Sequence, residues 1–284
     1  MRRPASARIV LAILLVVAAT VAAIGYRNAR ADPIVRQARV RLVDWPAGAA
    51  PVTVVLASDI HLGGAAMDAA RLTRIVARID ALRPDLVLLA GDFVAGHDKQ
   101  AATTSAAALV APLAGLQAPL GTVAVLGNHD EATQPVIIAK ALRRAGIVVL
   151  ENQAIVRGPL AIGGFGDVFS GHDDPLATLA ALRGLRGARI ALTHSPDLSP
   201  RLHADIALLL AGHTHCGQVV LPGFGAAVRR SPLIGRVLYD RRYRCGIVRD
   251  VNRTTIVTGG LGGLPFRWGA PPDIWLIRVG PAAR

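Results

Sequence analysis

Residues 53–61 read TVVLASDIH, in which a short apolar run leads directly into Asp59 and His61. A run of this length, rich in β-branched residues and followed by polar ones, is typical of a buried β-strand. The pattern recurs: LVLLA leads into Gly91-Asp92, VAVL into Gly127-Asn128-His129-Asp130, RIALT into His194, and IALLLA into Gly212-His213-Thr214-His215. Because ligands in open α/β sheets bind beyond the carboxyl ends of the strands, we predict one polar crevice lined by these clusters.

The segments around these runs predict an α/β fold. Amphipathic stretches predict helices over 69–82, 103–113, 135–145 and 175–182. Strands are predicted over 38–42, 52–57, 86–90, 122–126, 147–150, 154–156, 160–163, 189–193, 206–211, 217–221, 246–251, 254–258 and 274–279. Strands that alternate with helices favour a layered architecture. No linker interrupts residues 51–284, so we expect one domain there.

The N-terminus carries a candidate membrane segment. Residues 9–26 read IVLAILLVVAATVAAIGY, an uncharged run just long enough to cross a bilayer as a helix. The basic residues of segment 1–8 precede it and predict a cytoplasmic start, a membrane-anchored chain and an extracytoplasmic catalytic domain. Ala29-Arg30-Ala31 also offers a signal-peptidase pattern, so a secreted or periplasmic product of cleavage stays open. Residues 27–50 are expected to form a juxtamembrane linker and an edge strand.

The net charge and the two cysteines leave several interpretations of binding partners and disulfide pairing open. The formal net charge of +13 suits a phosphorylated substrate, anionic lipid or nucleic acid, but arginines on a solvated surface would give the same value. The basic segment at 229–244 allows either a solvated loop or a site for a headgroup or diphosphate. Cys216 and Cys245 form one disulfide if they pair after export, or are two unrelated buried thiols.

The residue types in the five clusters predict a metal centre. Imidazole suits zinc and iron, whereas carboxylate and amide oxygens suit manganese and magnesium. A mixed set of Asp, His and Asn without cysteine is unlike a structural zinc site of the cysteine type. The set therefore predicts divalent ions (Mn, Zn, Fe or Mg) that attract an anionic phosphoryl group.

In this order, the motifs DxH, GD, GNHD, H and GHTH resemble the calcineurin-like metallophosphoesterase superfamily. The resemblance runs from about Thr53 to the C-terminus, and GHTHCGQ with the late GGLGGLP and PPDIWLI segments is most similar to its membrane-anchored bacterial branch. It implies a four-layer αββα sandwich of two mixed sheets flanked by helices, with the N-terminal transmembrane helix added. It also implies two divalent metal ions that activate water as the nucleophile.

The resemblance assigns a role to each motif residue. Asp59, His61 and His215 would hold the first ion, Asn128, His194 and His213 the second, and Asp92 would bridge both. His129 would face the leaving group as general acid or charge stabiliser. Asp130 would either orient His129 or act elsewhere around the site. His97, His172 and His203 fall outside the motifs and are interpreted as surface or structural residues.

The expected activity is hydrolysis of phosphate ester or diphosphate bonds on a phosphorylated lipid or another membrane-associated substrate. Similar proteins act on a nucleotide-diphosphate sugar lipid in lipid A synthesis, but that donor is made in the cytoplasm, on the wrong side for an exported domain. Residues FVAG after Asp92 depart from the protein phosphatase motif and disfavour phosphoprotein substrates. The alternatives are a soluble-substrate phosphodiesterase or nucleotidase retained by the membrane, and a non-catalytic module that binds anionic ligands. No specific nucleic acid is expected, and the sequence leaves the oligomeric state open.

Overall fold

Two mixed six-stranded β-sheets form the centre of the fold in the computed structural model, which describes residues 5–231 and 235–282. The strands are β1 (Ile34–Leu42), β2 (Val52–Ala57), β3 (Leu86–Ala90), β4 (Thr122–Val125), β5 (Val148–Val149), β6 (Gln153–Arg157), β7 (Leu160–Gly164), β8 (Ala188–Leu192), β9 (Leu208–Ala211), β10 (Val220–Leu221), β11 (Gly225–Ala226), β12 (Gly246–Arg249), β13 (Thr254–Val257) and β14 (Asp273–Pro281). The helices are α1 (Ala5–Arg30), α2 (Ala69–Asp80), α3 (Lys99–Leu113), α4 (Asn128–Thr133), α5 (Pro135–Arg144) and α6 (Pro175–Arg183).

The strand order brings the predicted polar clusters to the centre of each sheet. The first sheet has the order β1-β14-β2-β3-β4-β5, and the second β12-β13-β9-β8-β7-β6. β2, β3 and β4 pair in parallel, as do β8 and β9, so within each set the carboxyl ends share one edge. β10 and β11 form a separate two-stranded hairpin. β6 and β7, both predicted as strands from the sequence, pair antiparallel.

Three apolar cores separate four layers. Alternate side chains of the two sheets, such as Val54, Leu88, Ile190 and Leu210, pack against each other between the sheets. The opposite face of the first sheet is covered by α2, α3 and α5, and that of the second by α6 and the 3-10 turn Pro196–Arg201. The four-layer αββα sandwich implied by the sequence resemblance is therefore confirmed.

Several element boundaries differ from the sequence-based prediction. β1 begins at Ile34 because it pairs in parallel with the whole of β14, so much of the expected linker is sheet. α3 begins at Lys99 because Asp98 accepts a hydrogen bond from the Ala101 N–H and caps the helix. The strand predicted over 217–221 shrinks to β10, since His215–Gly217 forms a 3-10 turn. α4 was not predicted.

α1 is the apolar helix at the N-terminus. Its segment Arg8–Arg30 is long and apolar enough to cross a membrane, judged by length and composition alone. Apolar side chains from Ile9 to Tyr26 are largely exposed in the protein, as expected for a surface that faces lipid. Ala29, near its end, is fully buried against the domain.

Candidate metal centre

The first group of predicted ligands lies around the ends of β2, β3 and β9. His61 Nε2 lies 3.3 Å from His215 Nε2 and 3.4 Å from Asp92 Oδ2. Asp59 Oδ1 lies 3.4 Å from His215 Nε2 and 3.9 Å from His61 Nε2. Four side chains from three separate loops thus direct one atom each toward a common point.

The second group shares Asp92 with the first. His194 Nε2 lies 3.3 Å from Asp92 Oδ2, 3.1 Å from Asn128 Oδ1 and 3.2 Å from His213 Nδ1. Asp92 Oδ2 is therefore close to both His61 and His194, which is the position required of a bridging carboxylate. The structure brings all seven predicted ligands into one cluster, and their division between two ions stays a prediction.

Main-chain carbonyl groups orient two of the ligand rings. His194 Nδ1 donates to Ala90 O at 2.7 Å, which leaves the Nε2 lone pair facing the cluster. His213 Nε2 donates to Leu238 O at 2.8 Å, which leaves Nδ1 facing the cluster. Hydrogen bonds of this kind select the tautomer and the ring orientation of metal-binding histidines.

The ligand atoms fit divalent ions. Bonds of about 2.0–2.2 Å from a metal to nitrogen or oxygen place neighbouring ligand atoms roughly 3–4 Å apart, and the separations in both groups fall in that range. Asp59 supplies a second sign of fit, because it is fully buried and its Oδ1 has no hydrogen-bond partner among residues 5–231 and 235–282. Its Oδ2 accepts from Ser58 Oγ and from the His213 N–H. A buried carboxylate oxygen without a donor needs a cation, so the residues present fit the metal centre.

The electrostatics favour the metal-binding form of three ligands, His61, His213 and Asp92. Two others differ: burial raises the pKa of Asp59 to about 6, and burial acts to lower the pKa of His194 but Asp92 outweighs it and raises that pKa well above its usual range. Burial lowers the pKa of His61 to about 3 and that of His213 to about 4, so both rings are neutral at pH 7. Burial acts to raise the pKa of Asp92, but His194 and His129 outweigh it and hold that pKa well below its usual range. Neutral imidazole and ionised carboxylate are the coordinating species.

The backbone around the ligands is strained. Asp59, His61, Asp92, His213 and His215 all adopt positive φ angles, between 49° and 71°. Such conformations cost non-glycine residues free energy and persist at sites where the surrounding structure enforces them. At Gly212 a Cβ atom would lie 1.8 Å from Ser58 Oγ and 2.6 Å from Asp59 Oδ2, so glycine is required for β9 to approach the first loop.

His129 lies at the open side of the cluster. Its main-chain N–H donates to Asp92 Oδ1 at 2.9 Å, and its Nδ1 lies 2.9 Å from Gly96 O, which leaves Nε2 without a main-chain partner. Its ring packs edge-on against His61 and stacks on the exposed His97, with centroids 4.8 and 4.7 Å away. The interpretation of His97 as a surface residue agrees with its exposure, and His97 also supports the His129 ring.

Asp130 is fully buried and binds main-chain groups. Its Oδ1 accepts from the N–H groups of Phe93 and Val94, and its Oδ2 accepts from that of Gly127. Burial, with help from Asp92, raises the pKa of Asp130 to about 7. These bonds tie the loop after β3 to the loop after β4. Of the two roles that the sequence allows for Asp130, they favour loop positioning over orientation of the His129 ring.

Two groups of residues lie beside the ligands, and of these only the basic segment that contains Arg236 was singled out from the sequence. The ring of Phe169 lies 4.8 Å from that of His213, and the guanidinium of Arg236 lies 4.5 Å from the Phe169 ring. Arg236 belongs to the basic segment, so one cation of that segment contacts a ring that packs against the second ligand group. The other is Arg267, which is fully buried with Nη2 at 3.2 Å from His215 Nδ1. Its only sequence signal is its place in the late segment that carries the family resemblance.

Cys216 and Cys245 form a disulfide, with Cα atoms 4.6 Å apart, which is the first of the two alternatives that the sequence left open. Cys216 follows His215 directly, and Thr214 Oγ1 donates to Arg244 O at 2.6 Å. Two adjacent links therefore join the ligand loop after β9 to the end of the basic segment. The loop that carries His213 and His215 is therefore fixed by the disulfide and this hydrogen bond as well as by its own 3-10 turn.

Comparison with known proteins agrees with this geometry. The model of the calcineurin-like phosphoesterase family matches residues 52–217. A Danio rerio transmembrane protein with metallophosphoesterase domain is 30% identical over 284 residues, which cover 92% of this chain and 61% of that protein. The uncharacterized metallophosphoesterase YkuE of Bacillus subtilis is 30% identical over 80% of this chain and 78% of its own length. Phosphodiesterase YaeI of Escherichia coli is 30% identical over 85% of this chain and 87% of its own length.

Proposed function

Because the chain belongs to the calcineurin-like phosphoesterase family, we propose that it hydrolyses phosphate ester or diphosphate bonds of a phosphorylated lipid or another membrane-associated substrate. The observation that carries the hydrolytic part is the buried Asp59 Oδ1, which has no donor within the described part of the chain and faces His61 and His215 at metal-ligand spacing. A site that only bound anions would present donors to its ligand. This site presents acceptors.

The seven ligands would be divided between two metal ions. Asp59, His61 and His215 would hold one ion, Asn128, His194 and His213 the other, with Asp92 between them. When bound, two divalent ions polarise phosphoryl oxygens and lower the pKa of water, which supplies a nucleophile at neutral pH.

His129 is placed to serve the leaving group. Because its Nδ1–H donates to Gly96 O, Nε2 is the ring atom left to face an oxygen in the crevice, and a second proton on Nε2 would make the ring a donor to the leaving group. The His97 ring behind it limits its rotation. Asp130 contributes by positioning, because it holds the strand ends on which Asp92 and His129 stand.

The preference for a membrane-associated substrate rests on α1 and on charge. The apolar helix and the relatives named as transmembrane proteins suggest membrane anchoring. Arg236, close to the second ligand group, would attract an anionic headgroup. The lipid A donor is not part of the proposal, because it is made in the cytoplasm whereas we propose an extracytoplasmic domain.

The test is metal-dependent turnover by the full-length protein. We expect chelated protein to be inactive on an aryl phosphodiester and to recover with Mn, Zn, Fe or Mg. Asp59→Asn should lose activity and bound metal together, whereas Asp205→Asn, which changes an acid with an exposed position, should lose neither. Bound metal without turnover across aryl, lipid and nucleotide phosphoesters would instead support a binding module. Turnover of the nucleotides alone would support the soluble-substrate alternative.

A further inference from the structure

The end of α1 is attached directly to the loop beside the metal centre. The Arg267 N–H donates to Gly25 O at 3.0 Å, and Asn28 Nδ2 donates to Arg267 O at 3.2 Å. A Cβ atom at Gly25 would lie 2.1 Å from the Phe266 ring, so the contact requires glycine on the helix. No flexible linker separates α1 from the 266–267 segment at this contact.

This attachment sets the depth of the loop in a bilayer. Residues 9–26 of α1 form the apolar run, and at 1.5 Å per residue 18 residues cover about 27 Å, close to the ~30 Å hydrocarbon layer. Gly25 is in the last turn of that run. If α1 spans the membrane, Phe266 must lie at the boundary between hydrocarbon and headgroups.

Exposed apolar side chains continue from this contact. The Trp268 N–H donates to Gln218 O at 3.1 Å, and the Val220 N–H donates to Trp268 O at 2.7 Å, which joins the β10–β11 hairpin to the loop. Phe224, in the turn of that hairpin, is 90% exposed, and Leu264 is 68% exposed. We call the exposed Leu221, Phe224 and Leu264, together with the half-buried Phe266 and Trp268, the apolar rim. Aromatic side chains are enriched at membrane interfaces, where their rings lie at headgroup level.

The same loop reaches the metal ligands. Gln218 Nε2 donates to the carbonyl oxygens of Leu264 and Phe266, at 3.0 and 2.9 Å. Arg267 binds α1 through its main chain and approaches His215 through its guanidinium, 3.2 Å from Nδ1. One arginine side chain therefore separates the helix contact from the first ligand group.

Positive charge accompanies the rim. Arg27 lies in the last turn of α1, and Arg229 and Arg230 follow β11 within a few residues. All three are exposed. Arginines close to an anionic membrane surface each contribute about 1 kcal/mol of attraction.

Building on the proposed function, we propose that the apolar rim inserts into the membrane interface and seats the metal centre at headgroup level. The occupant of the rim is the bilayer that α1 crosses. A site at that level suits a phosphoester or diphosphate carried on a lipid, whose phosphate reaches the ligand groups while its acyl chains stay in the bilayer.

The experiment measures insertion by tryptophan fluorescence. Full-length protein is reconstituted in phosphatidylcholine vesicles containing phosphatidylglycerol, with bromine placed either near the top or near the end of the acyl chains. Trp45 and Trp275 are buried, so the difference between wild type and Trp268→Phe isolates the emission of Trp268. We expect shallow bromine to quench more than half of that emission, and deep bromine to quench less.

Two charge variants test the rim itself. Phe224→Asp and Leu264→Asp should reduce the quenching and slow hydrolysis of vesicle phospholipid at least several-fold, with turnover of a soluble aryl phosphodiester unchanged. Val251→Asp is the matched control, since Val251 is 99% exposed in the turn between β12 and β13. Absence of Trp268 quenching, or equal effects of Phe224→Asp and Val251→Asp, would refute the insertion of the apolar rim into the membrane interface. Quenching does not depend on catalysis. If the wild-type protein shows Trp268 quenching but hydrolyses no phosphodiester, the proposed function is refuted and the insertion of the apolar rim is still supported.

Discussion

Arg71 links the end of α1 to the catalytic domain from inside the protein. It is fully buried, and burial lowers its pKa to about 10, so it stays charged at neutral pH. Its guanidinium donates to Arg30 O at 3.2 Å and to Ala31 O at 2.7 Å on the helix side. On the domain side it donates to Ala66 O and Leu261 O, at 3.2 and 2.9 Å. Replacing Arg71 by Met keeps much of the apolar volume and removes all four bonds.

The two helix-side bonds set the expected size of the effect. A hydrogen bond to a charged group contributes about 1.5 kcal/mol at the lower end of its range, so two contribute about 3 kcal/mol. About 1.4 kcal/mol corresponds to a factor of ten. The population in which the end of α1 is detached from the domain should therefore rise about 100-fold. Loss of the domain-side bonds should also lower the free energy of unfolding of the whole domain.

Limited trypsin digestion of the full-length protein in nanodiscs measures the open population, that is, the molecules in which the end of α1 is detached from the domain. Cleavage after Arg27 or Arg30 produces a fragment that begins at Asn28 or Ala31, identified by mass spectrometry. When opening is fast relative to cleavage, the cleavage rate tracks the open population. Arg253→Met is the matched control, because buried Arg253 donates to the carbonyl oxygens of Ile206, Leu202 and His203, which belong to the domain and not to α1. Equal cleavage rates for Arg71→Met, Arg253→Met and wild type would refute the reasoning.

Four further substitutions test the site. Asp92→Ala should lower metal content, measured by elemental analysis, more than Asn128→Ala does, because Asp92 Oδ2 faces both ligand groups; an equal loss would argue against a bridge. His129→Ala should retain metal and slow hydrolysis of esters with poor leaving groups by about 10²–10⁴-fold, and of nitrophenyl esters by less; equal slowing would exclude proton donation. Arg236→Ala should raise KM for an anionic phosphodiester and leave kcat nearly unchanged, whereas exposed Arg241→Ala should change neither; unchanged KM would remove Arg236 from the site. Cys245→Ser should lower the free energy of unfolding by about 3–4 kcal/mol in thermal denaturation; an unchanged midpoint would show that other contacts hold the loop.

The predicted strands and the convergence of the polar clusters depend on patterns that sequence displays directly. An apolar run such as 52–57 must be buried on both faces, and parallel strands place the loops after them at one edge of the sheet. The error over 217–221 has a local cause: His215, Cys216 and Gln218 all adopt positive φ angles, which their residue types do not announce. α4 was missed because the GNHD cluster indicates chemistry more strongly than secondary structure, although Gly127 precedes a short helix that begins at Asn128.

Partners supplied by distant segments could not be predicted from one sequence. Phe169 and Arg236 lie in different loops, and only the fold shows that they stack next to His213. Arg267 and Gly25 are more than two hundred positions apart along the chain. Neither residue type indicates that the main chain of one binds the other. Their contact connects the N-terminal apolar helix to the loop beside the ligand cluster, and it bears on whether that helix is retained in the mature protein.

The choice between an anchor and a cleaved signal sequence is sharpened by this contact. Cleavage after Ala31 would remove Gly25, which accepts from the Arg267 N–H, and Arg30, whose carbonyl accepts from Arg71. It would also uncover Phe266, since the ring packs on Gly25. Two buried arginines would lose part of their surroundings, and an unpaired buried donor costs about 1–3 kcal/mol. A cleaved signal sequence is not expected to supply acceptors for buried hydrogen-bond donors of the mature domain. We therefore expect α1 to be retained, because the folded domain uses its last turn as a structural element.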